Sequence, residues 1–473
     1  MKKILYMILI FPVMIIIGCL PNANSESNPD PTPEPTPDLT LEPPATPTPD
    51  PTPDPTPGIT GPTVIIDDEL VDIGSVKDED DTRTVTFDPE ALDAQIDDAT
   101  DYVRVVLPAD DKISTFEAIF VVKNIDDMAD KDMTLIITVG TVNYEIPTTA
   151  IDTTSVMEAL GATDPAIVPI TVSITKSVDD YTQTVVDSTL RYADMQQIGE
   201  SMQFNITAYY NGQTVEVENF NQFVGRTIQI TAEQARRITT GLVIEDNGSR
   251  RHVPTDVFSN TYGRHFATIN SLTNSTYVLV YNDVYFADAR GTWFEASVNQ
   301  MASRTIVNGR DTGNFDGNDN ITRAEFAAIV IRALGLQNNG ASEIFTDVNR
   351  HTWYSGYVGK AFEYGIVTGV GFGLYEPHRQ ITRQEAMLMV QRAANIAQMQ
   401  GNTADINAFP DAANVSSWAL DAAQWNVGSG LIQGRDGRLD PQENITRAET
   451  ATIILRLLQG AELVDVRAHN QPN

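Results

Sequence analysis

The stretches "ITRAEFAAIVIRALGL" (321–336), "ITRQEAMLMVQRAANI" (381–396) and "ITRAETATIILRLLQG" (445–460) are three versions of one helix start. Each sets a Thr before an apolar run of helical spacing and a Glu three residues after the Thr. This is a capping box, in which the two side chains satisfy backbone N–H groups at a helix start, and it predicts helices that begin at Arg323, Arg383 and Arg447. Ile321, before the cap, can staple onto Phe326, whereas Ala386 and Thr450 are weaker partners in the other versions. The box accounts for the Ile, the Thr, the tolerant fourth position and the Glu. It leaves the Arg unexplained, because a cation on the first helical residue opposes the helix dipole by about 0.3–1 kcal/mol. A small cost written three times predicts a use. A guanidinium beside free helix-start N–H groups suits a carboxylate or phosphate; the alternative is a surface Arg paired with a nearby acid.

Working outward, each box closes a longer unit. Phe-x-Asp (286–288, 345–347, 409–411) is expected to enter a first helix containing a Trp, a Gly-containing turn follows, and the capping box opens a second helix. Trp293 lies 30 residues before Arg323, Trp353 30 before Arg383 and Trp418 29 before Arg447. The spacing marks one structural unit used three times, over residues 283–340, 341–402 and 403–462, with a tail at 463–473.

The three units resemble S-layer homology domains, the wall-anchoring modules of bacterial surface proteins, over about residues 283 to 460. The resemblance implies an all-α, three-repeat, pseudo-trimeric helical bundle whose grooves bind a secondary cell wall polysaccharide bearing pyruvate ketals. It implies that Arg323, Arg383 and Arg447 contact the glycan, the ketal carboxylate being the anion they await. It also matches Asp288, Asp347 and Asp411, which would bond sugar hydroxyls or cap the first helix. Trp293, Trp353 and Trp418 match as residues that stack on a sugar face or fill the bundle. Gly309, Gly369 and Gly434 match as turn glycines, required by the backbone and open to close glycan approach. Unit one departs from the pattern by an extra "DTGNFDGNDN" (311–320) and unit two by Gln384 in place of Ala, which leaves open whether all grooves bind equally.

The rest of the 473-residue chain is of different character. Of the net charge of -33, residues 1–285 carry 44 acidic and 16 basic residues, against 20 and 15 in 286–473. No basic stripe exists, so nucleic acid is not an expected partner. The carboxy-terminal part uses 14 Arg and a single Lys, Lys360, a choice that suits rigid bidentate contacts to anions. The lone cysteine, Cys19, excludes an intrachain disulfide framework and a cysteine-rich metal site. It follows two lysines and a short apolar run, and Ile16-Ile17-Gly18-Cys19 resembles a bacterial lipobox. Residues 1–18 are then expected to be a lipoprotein signal peptide, with Cys19 lipidated and holding the protein to the outer face of the cytoplasmic membrane; an uncleaved anchor or a plain secretory signal is the alternative.

Residues 19–62 hold the lipidated Cys and a Pro/Thr/Asp-rich linker, expected to be disordered, of which 22–58 is expected to be extended and to reach on the order of 100 Å. Residues 63–282 read as an acidic segment, ordered in part, followed by one or two β-rich, sandwich-like domains. "FEAIFVVKNI" (116–125) and "MTLIITVGTVNYEIP" (133–147) read as strands, and Asn211-Gly212 as a tight hairpin. The stretch 251–280 resembles the end of a β-rich module that often precedes wall-binding repeats. No metalloprotease, nucleophile-elbow or phosphate-loop motif is present, and no cofactor or metal is expected. The leading expectation is a non-catalytic cell-surface protein whose partners are a wall glycan and the membrane. An enzyme with an unrecognised catalytic β-domain and a self-assembling S-layer subunit are the alternatives, and the oligomeric state is open.

Overall fold

The computed structural model describes residues 63–66, 69–71, 74–99, 101–340 and 343–466. Cys19, the apolar stretch before it and the Pro/Thr-rich segment up to residue 62 lie outside the described residues. Among the described residues no helix is long and apolar enough to cross a membrane.

Residues 63–282 build two sheets. In spatial order the first sheet contains strands Thr255–Ser259, His265–Thr273, Asn219–Ile230, Val142–Pro147, Thr134–Val139, Tyr102–Leu107, Thr63–Ile66 and Glu69–Val71. The second runs Arg250–Val253, Thr240–Ile244, Ser275–Tyr281, Gln196–Tyr210, Pro169–Thr175, Thr115–Val121, Thr82–Phe87 and Gly74–Glu79, with Gln213–Glu216 hairpinned onto Gln196–Tyr210. Strict alternation sends Phe116, Ala118 and Phe120, and beside them Ile170, Val172 and Ile174, to one face. There they join Val103, Val105, Leu135 and Ile137 of the first sheet in one buried cluster, so the two sheets share a single core. Asn211 and Gly212 both take positive φ, 48° and 82°, as a two-residue hairpin turn requires.

Two features depart from the sequence reading. Thr82–Phe87 pairs in parallel with Thr115–Val121, and Tyr102–Leu107 in parallel with Thr134–Val139. Twice the chain leaves a strand of the second sheet, passes through a helix (Pro89–Asp98, Val122–Ala129) and enters the first. The "FEAIFVVKNI" strand therefore stops at Val121, where the Asn124 side chain accepts the Val121 N–H and starts a helix. The second feature is Arg226, fully buried on an inner strand. Its guanidinium sits 4.7–5.5 Å from the ring centroids of Tyr144, Phe204 and Tyr277 and donates to the Val224 and Thr273 carbonyls.

Residues 285–466 carry two helices per repeat: Glu295–Ser303 and Arg323–Ala333, Ser355–Glu363 and Arg383–Ile396, Leu420–Gly428 and Arg447–Gly460. All six contribute to one apolar cluster, which also takes in Leu272 from the first sheet. Asn282 reinforces the junction by donating to the Ser303 carbonyl at 2.7 Å, and Gln337 by donating to Glu245 at 2.7 Å.

Close to that junction His252 is buried, with Nδ1 hydrogen-bonded to the Thr240 hydroxyl at 2.8 Å. Burial, with a smaller contribution from the Arg304 charge, holds its pKa well below the ordinary histidine value. The unfolded chain thus binds a proton near pH 6.5 that the folded chain refuses. This histidine's contribution is complete above pH 6.5 and is lost as the pH falls, by about 1.4 kcal/mol per unit. Chemical denaturation at pH 7 and 5.5 should show the wild type losing more stability over that interval than His252→Gln. Equal losses would mean that the imidazole titrates freely in the folded state.

Candidate functional site

The repeated pentapeptide sits where the three repeats meet. Ile321, Ile381 and Ile445 are fully buried, and their backbones form a closed cycle: Ile321 N–H donates to the Ile445 carbonyl, Ile445 N–H to Ile381 and Ile381 N–H to Ile321, at 3.1–3.2 Å. Thr322, Thr382 and Thr446 cap their helices, and Glu325, Glu385 and Glu449 close the boxes as expected.

The helix-start N–H groups are not free. Arg323 N–H donates to the Arg379 carbonyl and Ala324 N–H to Pro377. The same pairs recur from Arg383 and Gln384 to Glu443 and Pro441, and from Arg447 and Ala448 to Asp319 and Gly317. Each helix start is thus plugged by the backbone of the next repeat, which overturns the expectation of open N–H groups. The three arginines are buried too, with 5, 2 and 7 % of their surfaces exposed. Arg323 Nη1 meets Glu385 at 2.9 Å, Arg383 Nη1 meets Glu449 at 2.8 Å and Arg447 Nη1 approaches Glu325 at 3.9 Å. Their Nε atoms donate to the Tyr375, Leu439 and Phe315 carbonyls. Each capping-box Glu therefore serves its own helix and the Arg of the preceding repeat.

Burial opposes ionisation of Glu385. Hydrogen bonds from Arg379 and the Thr382 N–H, with the Arg323 charge, outweigh it and keep the carboxyl below its usual range. Glu449 is held down likewise by Arg435, Arg383 and the Thr446 N–H.

Asp288, Asp347 and Asp411 neither cap the first helices nor line a groove. Their two oxygens accept consecutive backbone N–H groups, Phe315 and Asp316, Tyr375 and Glu376, Leu439 and Asp440, at 2.7–3.0 Å. They hold the turn before each capping box. Gly309, Gly369 and Gly434 are not in the left-handed region. A Cβ on them would come within 2.6–2.9 Å of the Phe286, Phe345 or Phe409 ring of the same repeat, so packing, and not backbone torsion, demands glycine.

Three grooves surround this centre, and each takes residues from all three repeats. The first, about 300 Å³, sets Gly309, Arg310, Glu325 and Arg332 beside Arg447 and Trp353. The second, about 350 Å³, sets Gly369, Val370, Glu385 and Arg392 beside Arg323 and Trp418. The third, about 500 Å³, sets Gly434, Arg435, Glu449 and Arg456 beside Arg383 and Trp293. The tryptophans do not fill the bundle: 65 % of Trp293, 56 % of Trp353 and 51 % of Trp418 is exposed. Nor do they lie within the first helices, which begin two residues later at Glu295, Ser355 and Leu420; the following residue, Phe294, Tyr354 or Ala419, takes the core position instead.

Sequence reasoning missed Arg332, Arg392 and Arg456. All stand nine positions after the first arginine of their helix, a spacing that was available to find them. None has a carboxylate within ion-pair distance among the described residues; they donate to the Tyr357 hydroxyl and to the Ile366 and Leu431 carbonyls. Burial alone lowers the Arg456 pKa, with no acid opposing it. The grooves also differ. Arg310 and Arg435 approach Glu325 and Glu449, but Val370 occupies that place in repeat two, where Arg379 pairs with Glu385 at 2.6 Å instead. Among the described residues no group of three or more His, Cys, Asp or Glu is placed to hold a metal.

With this geometry in view, the S-layer homology domain family matches the chain over residues 285–327, 344–387 and 408–451. The chain thus carries three S-layer homology domains in series. Amylopullulanase of Thermoanaerobacterium thermosulfurigenes is 31 % identical over 194 residues, 41 % of this chain and 10 % of that protein. The surface-layer 125 kDa protein of Lysinibacillus sphaericus is 30 % identical over 170 residues, 35 % of this chain and 14 % of that one. The S-layer protein of Bacillus licheniformis is 27 % identical over 165 residues, 35 % and 18 % of the two chains. The matched segment spans 10–20 % of the length of the first such relatives, whether they are named as enzymes or as surface-layer proteins.

Removing Arg383 breaks a buried ion pair and a bond to the Leu439 carbonyl, although Glu449 keeps Arg435. Arg383→Ala should therefore cost about 3 kcal/mol of unfolding free energy. Arg438→Ala, where the arginine is half exposed and stands 3.2 Å from Asp440 and 3.9 Å from Asp411, should cost less, about 1 kcal/mol. Denaturant titration of both variants checks the difference, and equal, small losses would show that the inter-repeat pair contributes nothing.

Proposed function

We propose that this is a non-catalytic cell-surface protein, lipidated at Cys19 and anchored to the wall by grooves that bind an anionic, pyruvylated secondary cell wall polysaccharide. The observation that carries the reading is the threefold recurrence of one groove: an exposed Trp as a platform for a sugar face, a buried Arg in the wall, and a second Arg with no acid partner facing the ligand space. Stacking on the indole and a charge-assisted bond to a ketal carboxylate are complementary ways to hold an acidic sugar. Arg323, Arg383 and Arg447 supply positive potential from beneath, while Arg332, Arg392 and Arg456 make the direct contact. Val370 in place of an arginine makes the second groove the least cationic and the weakest site. The relatives support an anchoring role, because proteins named for unrelated activities share with this chain a segment the size of the repeat region.

Replacing Arg332, Arg392 and Arg456 together by Gln should weaken binding to purified pyruvylated wall polysaccharide by about ten- to a hundredfold per engaged groove. The melting temperature should move little. De-pyruvylated polysaccharide should bind the wild type no better than the triple variant binds the native polymer. Full retention of binding by the triple variant would remove these arginines from the site.

At the other end of the chain, Cys19→Ser should move the protein from the membrane fraction to the soluble fraction. Wild-type protein that takes up no palmitate analogue in growing cells would contradict lipidation.

A further inference from the structure

Between the β-rich region and repeat one lies a cavity of about 700 Å³. One wall is the turn of the Thr240–Ile244/Arg250–Val253 hairpin; the other is the segment 336–339 after repeat one's second helix, with Asn308, Arg332 and Tyr357. Asn308 and Arg332 line this cavity and the first groove alike, so the two spaces adjoin.

The charge of the lining runs against that of the chain. Arg250, Arg251 and Arg332 face it with a single carboxylate, Glu245, in a protein of net charge -33. Glu245 is already engaged, accepting from Gln337 at 2.7 Å and standing 3.8 Å from Arg251. Arg251 is largely buried, donates through Nη2 to Thr273, and leaves Nε and Nη1 without hydrogen-bond partners. Arg250 is exposed and makes no ion pair among the described residues. Asn247, Asn338, Asn339 and Ser249 complete a wall of amides and a hydroxyl, groups that pair with sugar hydroxyls. The volume is in the range of small-ligand sites.

We propose that this cavity is a second binding subsite for an acidic saccharide, continuous with the first groove, so that the β-rich region reads the sugars beyond those that the repeats hold. The subsite rests on the groove reading and extends it. A glycan seated on Trp353 and Arg332 runs on into the junction, where Arg250 meets a further anionic group and the asparagines bond ring hydroxyls. The β-rich region thereby becomes a part of the recognition surface, and repeat one binds a longer stretch of polymer than repeats two and three.

The test uses a ladder of oligosaccharides cut from the purified pyruvylated wall polysaccharide, titrated calorimetrically into the full chain. Two substitutions come from opposite walls, Arg250→Glu and Asn339→Asp, both at exposed positions outside the proposed groove contacts. Affinity for the wild type should rise with fragment length beyond what one groove holds. Each variant should lose about tenfold on the long fragments and nothing on the short ones, with an unchanged melting temperature. Wild-type affinity independent of length, or long-fragment binding untouched in both variants, overturns the junction subsite and leaves the grooves standing. Absence of binding by any fragment overturns both.

Discussion

Three backbone hydrogen bonds that run head to tail among Ile321, Ile445 and Ile381 set the terms for the carboxy-terminal region. A cycle of this kind exists only when all three repeats are present and in register. Around it the same logic recurs in side chains. The Arg of each repeat reaches the Glu of the next, and that Glu is already fixed by its own Thr. A single residue type thus ties the local rule of helix capping to the global closure of three repeats. That coupling is a sufficient reason for the pentapeptide to be written three times.

Closure also produces the grooves. Each repeat donates its Arg to one neighbour's wall and its Trp to the other's, so no repeat owns a complete site. The buried arginines join one repeat to the next. They direct their hydrogen bonds to carbonyls and carboxylates inside the protein. The second arginines are held only by neutral acceptors among the described residues. Lining each groove from all three repeats ties its shape to folding, and Val370, where the others carry Arg310 and Arg435, changes one groove while the ring stays closed.

Local features were legible in the sequence because their causes are local. The capping boxes, the six helices of the repeats and the Asn211-Gly212 hairpin follow from residues within a few positions of each other. What escaped involves partners far apart in the chain. Arg323 meets an acid 62 residues on and Arg383 one 66 residues on, and nothing in either helix announces that contact. Asp288, Asp347 and Asp411 stood at plausible capping positions but bind turns 27–29 residues ahead. The tryptophans misled for a simpler reason: the apolar neighbour on the chain takes the core place, and period alone does not say which of two adjacent apolar residues points inward. In the β-rich region the parallel pairs depend on two helical crossovers, one of which starts inside what reads as a continuous strand.

Amide hydrogen exchange at Ile321, Ile381 and Ile445 addresses the ring itself. If the cycle closes the three repeats into one cooperative unit, these amides exchange only when the whole helical region unfolds, with the same protection at all three. Exchange of any one of them on the timescale of surface amides, or three clearly different protection levels, would contradict that closure and return the repeats to independent modules.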